Sequence, residues 1–115
     1  MEFKGNEPIY LQIYHYYQRL IEKGVLAPGT HLPSVRDFAI AHQINPNTVQ
    51  RSFAMLTADG YLKSIEKKGF YVRPVSKENK RSYELNLALD NLLNEGFSVD
   101  EIIACLKEKE KKLYD

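Results

Sequence analysis

The stretch from Leu32 to Gly60, LPSVRDFAIAHQINPNTVQRSFAMLTADG, constrains the fold more tightly than any other part of the chain. It carries two helix starts a short distance apart. Ser34 is a good N-cap, with Asp37 three residues on as a weaker capping-box partner. Val35, Phe38 and Ala39 then form an apolar stripe at helical spacing. Asn45 can cap a second helix, Pro46 suits its first position, and Val49, Phe53 and Leu56 repeat at i, i+4 and i+7. The gap from His42 to Ile44 is too short to let the helices drift apart, so they must cross. That is helix-turn-helix geometry, in which the second helix is shaped to enter a DNA major groove.

The flanking segments extend this unit on both sides. From Pro8 to Lys23 the pattern predicts a helix with Ile9, Ile13, Tyr16 or Tyr17, Leu20 and Ile21 on one face, stopped by Gly24. Four of the eight tyrosines lie between Tyr10 and Tyr17, and they spread around that helix. Core and interface packing is therefore expected of them, not a platform for stacking bases. Pro28-Gly29 marks a turn, and Thr30-His31-Leu32 can form a very short strand. Beyond Asp59-Gly60 the period changes. Tyr61 to Ile65 and Phe70 to Val72 are rich in β-formers, joined by the basic tip Glu66-Lys67-Lys68-Gly69, whose glycine can take positive φ. Pro74 closes the second strand because it has no amide to donate. Three helices and a hairpin make a winged helix.

Ser76 to Arg81 is polar, either a linker or the frayed start of a helix. Leu85, Leu89, Leu92 and Leu93 then form a helical stripe ending near Asn94-Glu95-Gly96. Ser98-Val99-Asp100-Glu101 is a capping box for a last helix carrying Ile102, Ile103 and Leu106. KEKEKKLYD is expected as its solvated end. Two short amphipathic helices cannot bury their apolar faces alone, and a second copy of the tail is the simplest cover. The expected fold class is mainly α with a small β-hairpin wing. A winged helix-turn-helix domain over residues 1–75 would be followed by a two-helix dimerisation tail over residues 76–115.

Bulk properties narrow the class of function. The chain has 115 residues, enough for one modest core, and one cysteine, so no internal disulfide holds it. No signal peptide or membrane span is evident, and a cytoplasmic protein is expected. Net charge is +1, but unevenly spread: residues 1–75 hold 9 basic and 6 acidic side chains, the remainder 7 and 9. A mildly basic head on a mildly acidic tail suits a DNA-facing part joined to a protein-facing part. His15, His31 and His42 lack metal-ligand spacing, and no nucleophile motif, P-loop or dinucleotide fingerprint is present. Neither catalysis nor a cofactor or metal is expected. Cys105, beside Ile102, Ile103 and Leu106, is expected as a buried structural thiol.

Landmarks in a fixed order carry a family resemblance: Pro8-Ile9-Tyr10 with Gln12, Gly24 with Leu26, Pro28-Gly29, Leu32-Pro33-Ser34 with Arg36, Asn47-Thr48-Val49, and Gly60-Tyr61. Over roughly two-thirds of its length the chain resembles the winged-helix head of GntR-family transcriptional regulators. The short tail is similar to that of the YtrA type within the family. The resemblance implies DNA contacts from the start of helix two, the recognition helix and the wing. By position, Arg36 matches the arginine of the family's P-x-x-R motif, next to Ser34. Asn47, Thr48 and Gln50 fall on the leading turn of the recognition helix, with Arg51 a turn on, facing a phosphate or a base edge. Gly69 matches the wing glycine, flanked by Lys67 and Lys68. The chain departs from many members in having Asn45-Pro46 where a Ser/Thr-Arg pair stands, and Phe70 after the wing glycine. One base-reading arginine seen in other members is thus missing, and the target sequence does not carry over from them.

Physical chemistry supports these roles. Arginine can pair with guanine O6 and N7, worth about 1–3 kcal/mol of discrimination, while asparagine or glutamine suits adenine. Thr48 at a helix N-terminus can hold phosphate through backbone amides and its hydroxyl. The expected function is a dimeric DNA-binding regulator, a repressor on an inverted-repeat operator. The alternative is a winged-helix protein-interaction module, which would expose apolar side chains on the second helix where this chain has Asn47, Thr48, Gln50 and Arg51. A small-molecule effector would find room only at a dimer seam or at the junction of head and tail.

Overall fold

Nothing after Pro8 interrupts a helix until Gly24, and α1 runs Ile9–Glu22 in the computed structural model, which describes residues 1–114. Its buried residues are Ile13, Tyr14, Tyr17 and Ile21. Of the pair Tyr16 or Tyr17 it is Tyr17 that faces the core, while Ile9, also expected there, is exposed and Tyr14 is buried with the stripe. The reason is helical drift: each four-residue step advances the direction by about 40°, which leaves Ile9 at the edge of the stripe. Tyr14 bears out the core packing expected of the tyrosines of this helix. Its hydroxyl donates to the Asp59 carboxylate, which lets the ring go inside.

Helix α2 spans Val35–His42, and Ser34 Oγ accepts the Asp37 amide at 3.0 Å. Phe38 and Ala39 are buried and Val35 half-buried. Gln43 ends the helix in the left-handed conformation, φ 55°. Helix α3 spans Pro46–Ala58, with Asn45 Oδ1 accepting the Asn47 amide at 2.8 Å and Pro46 in the first turn. Val49, Phe53 and Leu56 have no exposed surface. Phe53 is the centre of an aromatic core: its ring meets Tyr17 at 5.7 Å, Phe38 at 6.0 Å and Phe70 at 5.2 Å between centroids. Helix α3 packs directly against α1, α2 and the first strand.

Strands β1 (Leu62–Ile65) and β2 (Gly69–Val72) pair antiparallel, Leu62 opposite Val72 and Ile65 opposite Gly69. The short strand expected at Thr30 to Leu32 is reduced to a bridge between His31 and Tyr71, with Leu32 N–H donating to Phe70 O and Val72 N–H to Thr30 O. A polar belt closes the far side: Gln18 Nε2 donates to the Tyr61 hydroxyl at 3.1 Å, and that hydroxyl donates to Glu22 at 2.8 Å.

The chain divides into two compact units, Met1–Lys80 and Arg81–Asp115. Helix α4, Lys77–Asn94, begins inside the first unit, because Asn79 Nδ2 donates to Asp59 O at 2.6 Å and the Asn79 amide donates to Ser76 Oγ. Residues 77–81 are thus helical. Helix α5, Val99–Tyr114, opens with the expected reciprocal box: Glu101 N–H donates to Ser98 Oγ at 3.1 Å, and Ser98 N–H to Glu101 Oε2 at 2.8 Å. Asp115, the last residue of the expected solvated end, lies outside the described residues. Neither α4 nor α5 contains a buried residue. Cys105 is accordingly exposed, contrary to expectation, on a helix with no buried residue. Among the described residues no helix is long and apolar enough to cross a membrane.

Candidate nucleic-acid interface

The inner face of α3 is fixed by Val49, Ser52, Phe53 and Leu56, so its outer face is fixed as well. Asn47, Gln50, Arg51 and Ala54 are exposed along it, at i, i+3, i+4 and i+7. Three of the four carry the donors and acceptors that match base edges. Ala54 was not anticipated. Its small side chain continues the stripe without standing proud of it, and exposure on an otherwise apolar residue type gives no sequence signal.

The leading turn of α3 differs in one respect from expectation. Pro46 has no amide, the Asn47 amide is held by Asn45 Oδ1, and the Thr48 amide donates to Asn45 O at 3.0 Å. An incoming phosphate would therefore meet the hydroxyl of half-buried Thr48, not free backbone amides. Capping of this helix is done by Asn45, which leaves the exposed Asn47 side chain out of the cap.

Arg36 is the second residue of α2 and is exposed. Ser34, also exposed, spends one lone pair on the Asp37 amide and keeps its O–H as a donor. Because α3 packs on both α2 and β1, the start of α2, the outer face of α3 and the hairpin belong to one unit. The hairpin loop is Glu66, Lys67 and Lys68, all exposed, with Lys67 at φ 65° and Gly69 at φ 107°. His31, for which the sequence offers only a place in a short strand, organises this loop. Its Nε2 bonds Lys68 O at 2.9 Å, and its ring stacks on Tyr71 at 4.6 Å. A Cβ on Gly69 would lie 2.9 Å from that nitrogen, so a side chain there would have to displace the His31 ring as well as hold φ 107°. Arg51 likewise has an unforeseen partner: its guanidinium carbon lies 3.7 Å from the centroid of the Tyr10 ring.

Three helices, a crossing turn and a two-stranded hairpin define a winged helix-turn-helix. Residues 9–72 match the family described as bacterial regulatory proteins, gntR family. The chain belongs to the GntR family. It is 39% identical over 72 residues to the uncharacterized HTH-type transcriptional regulator YhcF of Bacillus subtilis, which covers 62% of this chain and 59% of that protein. It is 35% identical over 74 residues to the HTH-type transcriptional repressor YtrA of the same organism, covering 64% of this chain and 57% of that one. The chain thus spans less than two thirds of these curated relatives. Among solved structures, YtrA from Sulfolobus acidocaldarius, a GntR-family transcription factor, is similar with a TM-score of 0.59 and 28% identity, over 100% of this chain and 98% of that chain.

Proposed function

We propose that this chain is a sequence-specific DNA-binding transcriptional regulator, a repressor that binds an inverted-repeat operator as a homodimer. The observation that carries the reading is the outer stripe of α3, where Asn47, Gln50 and Arg51 offer base-edge chemistry and no large apolar side chain is exposed among them. Ser34 and Thr48 supply backbone contacts from the two helix starts, Arg36 reaches a base edge from the first turn of α2, and Lys67, Lys68 and Gly69 supply the wing. Repression is inferred from the B. subtilis relative YtrA, an HTH-type transcriptional repressor. Residues 76–115 serve as the dimerisation tail, supported by the bare apolar side chains of α4 and α5, among them Leu85 at 61% and Leu106 at 57% exposure. A two-fold protein calls for a two-fold site, with half-sites about one helical turn apart when both heads use one groove face.

The test is duplex affinity across a salt series, using a duplex selected by the full chain from a random pool. Binding should fall steeply, with a log–log slope of about −0.9 per phosphate neutralised. Weak binding with a flat slope would instead assign the outer face of α3 to a protein partner.

A further inference from the structure

Arg51 is exposed, yet its side chain is held from another element. The guanidinium carbon lies over the Tyr10 ring, 3.7 Å from the centroid. Helix α1 brings the ring there. At about 100° per residue, Tyr10 falls within about 10° of the mean direction of Ile13, Tyr14, Tyr17 and Ile21. It therefore continues the face that α1 packs on α3, one turn before the first buried residues, and is itself half-buried. A half-buried ring on a rigid helix is a fixed platform.

An aromatic face engages the cation and leaves the guanidinium N–H groups available at its edge. A free arginine on a helix surface samples many rotamers, and a bidentate bond to a base must select one of them. A contact with phosphate makes no such demand, because a point charge near the backbone is enough. We propose that Tyr10 is a specificity-determining positioning residue. It holds Arg51 in a geometry suited to the O6/N7 edge of a guanine, and so makes this arginine a base reader, not a phosphate clamp. The inference rests on α3 being the DNA-facing helix.

The experiment compares the selected operator with a scrambled duplex for the full-length wild type, Tyr10→Phe, Tyr10→Leu, Arg51→Ala and the double variant Tyr10→Leu/Arg51→Ala. Tyr10→Phe keeps the ring and should bind both duplexes as the wild type does. Tyr10→Leu should weaken operator binding about 2- to 5-fold, the range expected for an exposed cation–π pair, and leave the scrambled duplex unchanged. On an Arg51→Ala background it should add nothing. In the free protein, the Arg51 side-chain proton resonances should be shifted upfield by the ring, unchanged in Tyr10→Phe and lost in Tyr10→Leu. Equal losses on both duplexes, an undiminished loss on the Arg51→Ala background, or unshifted Arg51 resonances in the wild type would overturn the proposal. If Arg51→Ala costs affinity and Tyr10→Leu does not, the proposal alone fails. If Arg51→Ala binds the operator like wild type, the reading of α3 at this position fails with it.

Discussion

Ser52 lies on the inner face of α3 with no exposed surface, and its hydroxyl has no hydrogen-bond partner among the described residues. A buried hydroxyl left unpaired costs about 1–3 kcal/mol. Ser52→Ala removes that group and keeps the Cβ that fills the space beside Val49 and Phe53. The variant should be more stable by about 0.5–2 kcal/mol, seen as a higher urea midpoint, and a lower midpoint would mean that the hydroxyl is bonded. Tyr14 and Tyr61 present the opposite case, phenols whose burial is compensated by hydrogen bonds, and Tyr17 is buried beside them. Burial, reinforced by Tyr16, pushes Tyr17 up to about 12. Tyr61 also rises to about 12, through burial first, with the Gln18 bond lowering it and Glu22 raising it. Tyr14 is raised further, by burial and by its bond to Asp59. A pKa raised on folding means that the folded state keeps a proton that the unfolded chain loses. The contribution to stability is complete below the ordinary value of 10.0 and disappears as pH climbs to about 12. Urea midpoints measured across that interval should fall steadily. A flat profile would place these phenols in water.

At the scale of elements, the wing shows how little a hairpin of four-residue strands holds by itself. Its loop keeps Lys67 in the left-handed region, which costs a non-glycine residue about 1–2 kcal/mol. His31 compensates from outside the hairpin, bonding Lys68 O and stacking on Tyr71. Gly69→Ala must strain φ 107° and displace the His31 ring, so it should lower stability by about 1–3 kcal/mol, a drop of several degrees in Tm. An unchanged Tm would dismiss the His31 clamp. The wing and α2 should also fail differently on DNA. Arg36→Ala should relax preference at one base pair per half-site at a cost of about 1–3 kcal/mol, because the side chain stands on a rigid capped helix. Lys67→Ala should weaken selected and scrambled duplexes alike and make the salt slope shallower by about one unit per lost contact in each subunit. The caps at Ser34, Asn45 and Ser98 were legible in the sequence because each is decided within three or four residues. So was the Val49, Phe53 and Leu56 face, since periodicity reports the core directly. The His31 clamp and the Tyr10–Arg51 pair were not legible, because each joins residues some forty positions apart. Gln43 gave no signal either: the crossing turn needs a left-handed residue, and no glycine or asparagine stands there to announce it.

The whole molecule combines a head with a complete core and a tail with none. In the head, thirteen apolar side chains from Ile13 to Val72 are buried together. In the tail, Leu85, Leu92, Leu93, Ile103 and Leu106 are exposed, and Leu89 and Ile102 only half-covered. Periodicity marks those residues as apolar stripes, but a stripe says only that something must cover it. Cys105, beside the α5 stripe, is exposed for the same reason. Exposed leucines at this density carry a continuing cost of about 25 cal/mol for each Å² of apolar surface left in water. A symmetric contact of standard size, about 1,200–2,000 Å² in total, would remove it. The wild type should therefore sediment as a dimer at micromolar concentration. Leu89→Asp with Leu92→Asp places two carboxylates in the expected seam and should give monomers. Because the head keeps its own core, its melting transition should survive in the variant, which separates loss of assembly from loss of folding. Operator affinity should fall by a large factor, since each head would then bind its half-site without the effective concentration supplied by the other. A half-site duplex should hardly register the change. A wild type that is monomeric at micromolar concentration, or a monomeric variant with full operator affinity, would remove the tail from DNA binding and leave the head acting alone.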